Sequence, residues 1–147
     1  MSKVIVLRAN AKDYHKVASS TIVTGWLPGQ CMQYSSTGAY VEIASVDGAM
    51  FVAGDDEDEL VAPPTGSLVT LYYGAGTKLL INHKEEVDAS NAARAYETEV
   101  ASASPNANLY VGAAGKWQTT ATGSVKAKLF QVPAAANNYE LGVILRF

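Results

Sequence analysis

The sequence predicts a single, mostly β domain, and three observations support this prediction. Hydrophobic residues make up 48% of the 147-residue chain and charged residues 17%, a balance typical of a folded domain. Runs rich in Tyr, Val, Leu, Ile and Thr recur along the chain, and short glycine turns separate them. A chain of this length suits one domain, so we expect residues 1–24 to form an N-terminal arm or first strand and residues 25–147 a single β domain.

Three pairs of strand-like runs are each predicted to form a hairpin around a glycine-containing turn. In the clearest pair the turn is Gly74-Ala75-Gly76, where glycine supplies the positive φ that short loops require. The paired runs are residues 67–73 with 77–81, residues 31–34 with 39–43, and residues 109–111 with 116–120. An aromatic residue stands close to each turn, where cross-strand contacts stabilise a pair by up to about 1 kcal/mol.

Further strands are predicted after the Asp47-Gly48 turn and in the last part of the chain. Residues 125–132 alternate in their first half and stop at Pro133, which has no N–H to donate. Residues 139–147 place Tyr139, Leu141, Val143, Leu145 and Phe147 on one face, and Glu140, Gly142, Ile144 and Arg146 on the other. We expect sheet pairing or a neighbouring subunit to hold this final strand, because it would otherwise fray.

The segment 88–104 has two interpretations. Ala92, Tyr96, Val100 and Ala103 recur at helical spacing, whereas Tyr96, Thr98 and Val100 also alternate with Glu97 and Glu99 as in an edge strand. The residues alone leave both open. Elsewhere no long helix is expected, so the domain contains at most one short helix.

Charge and hydropathy narrow the classes of partner. Acidic residues number 14 against 11 basic ones, so a broad basic surface for nucleic acid is not expected. The apolar run from Val4 to Leu7 is too short for a signal-peptide core or a membrane span. We therefore expect a soluble protein that is synthesised in the cytoplasm of its host, with no membrane partner.

The acidic run Asp55, Asp56, Glu57, Asp58 and Glu59 is the most conspicuous charged feature. Its consecutive acids lack the alternating spacing and the glycine of a calcium-binding loop. A solvated loop is the favoured interpretation, while binding of a cation and an electrostatic contact with a basic partner surface both stay open.

No motif predicts an enzyme, a cofactor or a metal. Cys31 lies in an apolar run and is interpreted as a small buried hydrophobe. His15 and His83 lie far apart and belong to no metal-ligand spacing. The glycines around Ala75 precede a strand-like run and not the helix of a dinucleotide loop, and no Gly-x-Ser-x-Gly elbow occurs.

Several segments resemble the capsid decoration, or cement, proteins of tailed bacteriophages. The resemblance rests on turn glycines and strand aromatics spread over about two thirds of the chain. The segments are Gly25-Trp26-Leu27-Pro28-Gly29-Gln30, Ala95-Tyr96-Glu97-Thr98-Glu99-Val100, Asn108-Leu109-Tyr110-Val111, Gly115-Lys116-Trp117-Gln118-Thr119-Thr120 and Leu141-Gly142-Val143-Ile144-Leu145-Arg146-Phe147.

The resemblance implies an all-β barrel or tulip-like sandwich that binds the outer surface of the capsid and stabilises the expanded shell. Its partner would be the major capsid protein, on whose lattice it would sit as a trimer or dimer in the virion. The family commonly exchanges extended arms, so residues 1–24 and 88–104 become candidate arms, the latter then favoured as a strand. The candidate partner contacts are Trp26, Tyr96, Asp55, Asp56, Glu57, Asp58, Glu59, Arg146 and Phe147.

Two other functions stay open. Trp26, Trp117 and exposed tyrosines could form the stacking platform of a carbohydrate-binding module on a virion or cell surface. Another phage structural subunit, such as a tail-tube or minor head protein, would suit the same composition.

Overall fold

The computed structural model describes residues 3–8, 11–16, 27–38, 41–54, 68–82 and 95–147. Within these ranges eleven strands form one six-stranded and one five-stranded sheet, and every ladder is antiparallel. The strands are β1 (Lys3–Arg8), β2 (Ala11–Lys16), β3 (Cys31–Tyr34), β4 (Val41–Ile43), β5 (Phe51–Ala53), β6 (Leu68–Tyr73), β7 (Lys78–Asn82), β8 (Asn108–Val111), β9 (Trp117–Gln118), β10 (Ala127–Gln131) and β11 (Leu141–Leu145).

The strand order shows how the two sheets are connected. The first sheet has the order β1-β7-β11-β10-β8-β9, and the second has the order β2-β6-β5-β3-β4. Consecutive strands β1 and β2 therefore lie in different sheets, and so do β6 and β7.

The predicted hairpin of residues 67–73 with 77–81 is wrong. β6 pairs with β2 and β5, whereas β7 pairs with β1 and β11, so the turn between them is a corner from one sheet to the other. Gly74 and Gly76 both have positive φ, at 98° and 91°, which confirms the sharp turn but not the pairing. The N–H groups of these glycines donate to the carbonyls of Phe147 and Leu145, so the corner rests on β11.

In the N-terminal part of the chain, residues 3–8 and 11–16 are strands, one in each sheet. β1 pairs with β7 from Lys3 opposite Asn82, and β2 pairs with β6 as far as Lys16 opposite Leu68. Residues 1–2, 9–10 and 17–24 of the expected N-terminal arm or first strand lie outside the described ranges.

The other two hairpins are confirmed. β3 pairs with β4, with Gln33 opposite Glu42, and β8 pairs with β9, with Val111 opposite Trp117. The predicted strand after the Asp47-Gly48 turn is β5, which pairs with β3.

The two predicted C-terminal strands, β10 and β11, are also confirmed, and they pair with each other. β11 lies between β10 and β7, so sheet pairing on both sides holds it. Its alternation is as expected, because Leu141, Val143 and Leu145 are fully buried.

The part of segment 88–104 that the structure describes is neither a regular strand nor an α-helix. Residues 95–97 are extended, with Tyr96 in an isolated parallel bridge to Trp117, and Thr98–Ser102 form a 3-10 helix. Two more short 3-10 helices, Ala113–Gly115 and Ala135–Asn137, complete the helical content of the described residues. The described residues thus contain three short 3-10 segments and no longer helix, where the sequence predicted at most one short helix.

The fold is an all-β sandwich, as predicted, and not a closed barrel. The main core lies between the sheets and takes residues from Val4 to Leu145, including Val52 from the second sheet. A second cluster, with Met32 and Leu71 at its centre, lies on the opposite face of the second sheet. Among the described strands, no ladder joins an edge strand of one sheet to an edge strand of the other, so the sheets do not close into a barrel.

Candidate interaction surface

The predicted partner contacts are scattered. Trp26 and the acidic residues 55–59 lie outside the described residues. Arg146 directly follows β11 and is exposed. Phe147 is half-buried, because its side chain packs against the main core. Arg146 therefore offers a side chain to a partner, whereas Phe147 mainly closes one end of the core.

Tyr96 is a correction to the predicted contacts, because its side chain is fully buried. The N–H of Trp117 donates to the carbonyl of Ala95 at 2.9 Å, and the N–H of Glu97 donates to the carbonyl of Trp117 at 2.8 Å. The Tyr96 hydroxyl donates to the carbonyl of Tyr139 at 3.1 Å. In the sequence, the alternation of Tyr96 with glutamates indicates that one face of this segment is buried. It does not indicate whether this chain or a partner covers that face.

Trp117 is likewise fully buried, and its indole Nε1–H donates to the carbonyl of Gly29 at 3.0 Å. Gly29 has φ +93°, and a Cβ at this position would collide with Ile81. The backbone at Gly29 thus packs closely on the Ile81 side chain. Because the Trp117 ring is fully buried, it is not available to stack on a sugar ring.

A solvent-facing apolar feature lies on the described strands of the first sheet. We call it the outer face and define it by seven residues on β1, β7, β10 and β11. They are Ile5, Leu7, Lys78, Leu80, Lys128, Phe130 and Ile144. Leu79, Leu129 and Val143, the chain neighbours of the members on β7, β10 and β11, are fully buried, so the pleat directs these members away from the core. Ile5 lies opposite Leu80, and Leu7 stands exposed at the bulge between Val6 and Arg8.

Strand register places the apolar members of the outer face side by side. Ile5 lies opposite Leu80 on β7, and Leu80 lies opposite Gly142 on β11. Ile5 and Leu7 are 41% and 51% exposed, while the side chains of Leu80, Phe130 and Ile144 are half-buried. Together they form an apolar strip that crosses four strands.

Gly142 lets an aromatic ring lie across this strip. A Cβ at Gly142 would come within 2.8 and 2.9 Å of the Phe130 ring and 2.7 Å of the Gln131 Cβ. The ring thus covers the backbone of β11 where a side chain would otherwise stand. The Lys78 ammonium lies 4.3 Å from the ring centroid, a cation–π contact that brings positive charge onto the apolar strip.

The charge of the outer face has one sign. Lys78 and Lys128 flank Ile144 on the neighbouring strands, and no acidic residue occupies an outward position on the described strands of this sheet. Within the described ranges the only ion pair joins Lys126 to Asp47, so neither Lys78 nor Lys128 has a carboxylate partner there. Glu140 lies at the border, where Gln131 Nε2 donates to its carboxylate at 2.9 Å.

Two carboxylates stabilise loops beyond this face. Asp47 accepts from the N–H of Ser124 at 3.2 Å, and Lys126 lies 3.4 Å away. The Ser124 hydrogen bond, helped by Lys126, lowers the pKa of Asp47 below its ordinary value. This contact joins the turn between β4 and β5 to the loop that precedes β10, and so links the two sheets.

Glu99 forms the other loop contact. Its carboxylate accepts from the N–H groups of Thr119 and Thr120 at 2.8 and 2.9 Å, and from the Thr120 hydroxyl at 2.9 Å. These hydrogen bonds, those of Thr120 first, lower the pKa of Glu99 despite some desolvation. The 3-10 helix Thr98–Ser102 is thereby joined to the residues that follow β9.

The second sheet presents a smaller aromatic edge. The Phe51 ring packs edge-to-face on Tyr34 and Tyr73, with centroids 5.1 and 5.4 Å apart. Tyr34 is 41% exposed, but Phe51 is nearly buried. Phe51 and Tyr73 belong to the second hydrophobic cluster, so Tyr34 is the exposed ring of these three.

Two observations bear on metal and thiol chemistry. Among the described residues no three His, Cys, Asp or Glu side chains converge on a common point. Cys31 is fully buried, as expected, and burial raises the pKa of its thiol well above the ordinary value.

No helix in the described part of the chain is long and apolar enough to cross a membrane.

Sequence reasoning missed the outer face, although one signal was present. Ile144 is an apolar residue on the face of β11 that otherwise carries Glu140, Gly142 and Arg146. Phe130 occupies the corresponding outward position on β10. Recognising the strip required the register that joins β1, β7, β11 and β10.

Comparison with known proteins adds no relative. No protein-family model matches the chain, and no curated protein is significantly similar to it in sequence.

Proposed function

We propose that this chain is a structural virion protein of a tailed bacteriophage, which binds the outer surface of the capsid and stabilises the expanded shell. Its partner is the major capsid protein, and it acts through an extended protein–protein contact. No catalytic step is part of the proposal.

The observation that carries the proposal is that the segments with the decoration-protein resemblance pack on one another. Residues 95–97 lie beside Trp117, and β8 pairs with both β9 and β10. The Trp117 indole donates to Gly29, which belongs to the first of these segments. Three of the resembling segments, together with Gly29 of a fourth, thus form one connected unit.

The available surface also supports a binding role. The outer face is a broad apolar strip with lysines, which suits contact with another protein better than enclosure of a small molecule. On a symmetric shell many modest contacts add up through avidity, so no single residue needs special chemistry.

The proposal is tested on virions. The neighbourhood of the gene identifies the phage, and mass spectrometry of its purified virions is expected to detect this chain. Purified protein is then added to expanded capsids that lack it, where we expect saturable binding and an increase in the temperature at which the capsids break. Absence of the chain from mature virions would contradict the proposal.

The carbohydrate-binding alternative loses one of its two tryptophans, because Trp117 is buried. Among the tyrosines whose side chains the structure describes, only Tyr34 is well exposed, and its ring already packs on Phe51. A glycan array tests this alternative directly.

A further inference from the structure

We propose that the outer face of the first sheet is the docking surface, and that its occupant is a protein surface with apolar side chains bordered by carboxylates. The inference rests on the proposed function, in which that surface belongs to the capsid shell. It identifies the contact face and the chemistry of the partner, neither of which follows from the resemblance.

The first argument is the apolar content of a face that points away from the core. An antiparallel sheet with one solvated face normally alternates apolar and polar residues along its strands. Here outward positions on four adjacent strands carry Ile5, Leu80, Ile144 and Phe130. A strip of this kind gains free energy when another apolar surface covers it, at about 25 cal/mol per Å² removed from water.

The second argument is the unpaired positive charge. Lys78 contacts the Phe130 ring, and the Lys128 ammonium lies 3.4 Å from the carbonyl of Asn106. Neither has a carboxylate partner among the described residues, although the whole chain has a net charge of −3. A partner with carboxylates beside its apolar strip would satisfy both ammonium groups and fix the register of the contact.

The same charges argue against a second copy of this face as the occupant. Two copies packed face to face would bring Lys78 and Lys128 of each near the lysines of the other. Like charges opposed across an interface cost several kcal/mol. The carboxylate of Glu140, the acid at the border, is already bonded to Gln131.

The experiment measures binding to decoration-free expanded capsids for the full-length protein and three variants. Lys78→Gln/Lys128→Gln removes both charges, and Ile144→Asp places a charge on the strip. The control, Ser36→Glu/Ala121→Glu, makes the same change in net charge at two exposed residues outside the outer face. Circular dichroism and thermal unfolding establish that each variant is folded.

We expect the lysine variant to weaken binding about 10-fold at low salt and to reduce its salt dependence. Ile144→Asp is expected to weaken binding by at least about 10-fold, while the control stays within about twofold of the native protein. Wild-type binding with unchanged affinity in both outer-face variants would overturn the docking surface and leave the proposed function standing. If the native protein does not bind at all, both proposals fail.

Zero-length carbodiimide cross-linking keeps the test independent of the variants. On capsids carrying the native protein, Lys78 or Lys128 is expected to link to Asp or Glu residues of the shell protein. Links from these lysines only to another copy of this chain would overturn the inference.

Discussion

Trp117 and Tyr96 show how single buried side chains connect distant parts of this chain. The Trp117 indole reaches Gly29 across 88 residues of sequence, and the Tyr96 hydroxyl reaches Tyr139 across 43. Each donates one hydrogen bond to a backbone carbonyl from a fully buried ring. Loss of the Trp117 donor would leave the buried Gly29 carbonyl without this partner, which costs more than loss of the bond alone.

The contributions of these two donors are separable. We expect Tyr96→Phe, which preserves the ring, to lower the free energy of unfolding by about 1 kcal/mol. Trp117→Phe also removes ring volume from the core and is expected to cost more, about 2–4 kcal/mol. Urea denaturation followed by circular dichroism measures both. Equal stability of the native protein and Trp117→Phe would contradict the assignment.

Glu99 predicts a pH dependence with a definite sign. Its folded-state pKa lies below the ordinary value of 4.5, so the unfolded chain binds the proton more readily. The stabilisation is therefore fully present above pH 4.5 and is lost as the pH falls through the lower, folded-state value. The carboxylate lies near the surface, so the contribution is expected to stay below about 1 kcal/mol.

The measurement is a comparison of the native protein with Glu99→Gln at several pH values. The stability difference should be largest near neutral pH and should shrink as the pH falls below 4.5. A difference that is constant from neutral to acid pH would show that Glu99 acts through something other than its charge.

At the scale of elements, the corner between β6 and β7 is the most consequential feature. Residues 74–77 connect one sheet to the other. They also hydrogen-bond to Leu145 at the end of β11 and to Phe147 beyond it. The buried Thr77 hydroxyl donates back to the carbonyl of Tyr73 at 2.9 Å. A local turn thus determines how the two sheets meet.

We expect Gly76→Ala to destabilise the protein by more than about 1 kcal/mol, since alanine is strained at the φ of 91° found there. Ala75→Ser, in the same turn but exposed, is the matched control and should be nearly neutral. Thermal unfolding of both variants provides the comparison. If Gly76→Ala unfolds at the same temperature as the native protein, the corner does not require positive φ at residue 76.

At the scale of the whole molecule, the main core is continuous from β1 to β11 and encloses Cys31. Alkylation of this thiol therefore requires a large opening of the structure. We expect iodoacetamide to label the native protein orders of magnitude more slowly than the urea-unfolded protein, because opening must come first. Cys31→Ala/Ser36→Cys, with its thiol in an exposed turn, should be labelled rapidly without urea. Fast labelling of the native protein would contradict a closed core.

Much of the local structure could be predicted from the sequence. The alternation of residues 139–147 identified the buried face of β11 correctly, and the glycines around Ala75 and near Gly38 and Gly115 marked real turns. These features depend on neighbours in the chain, since a strand exposes alternate residues to opposite faces and positive φ favours glycine.

What only the tertiary structure decided is which strands pair and what covers each face. The glycine turn at residues 74–76 is compatible with a hairpin or with a corner, and long-range pairing with β1, β2, β5 and β11 selects the corner. Tyr96 is buried because Trp117 lies beside it, and the outer face exists because the sheet brings Ile5 next to Leu80 and Phe130 over Gly142. Alternation of apolar and polar residues along a strand shows that its two faces differ. The strands and side chains that cover each face come from distant parts of the chain, so only the tertiary structure identifies them.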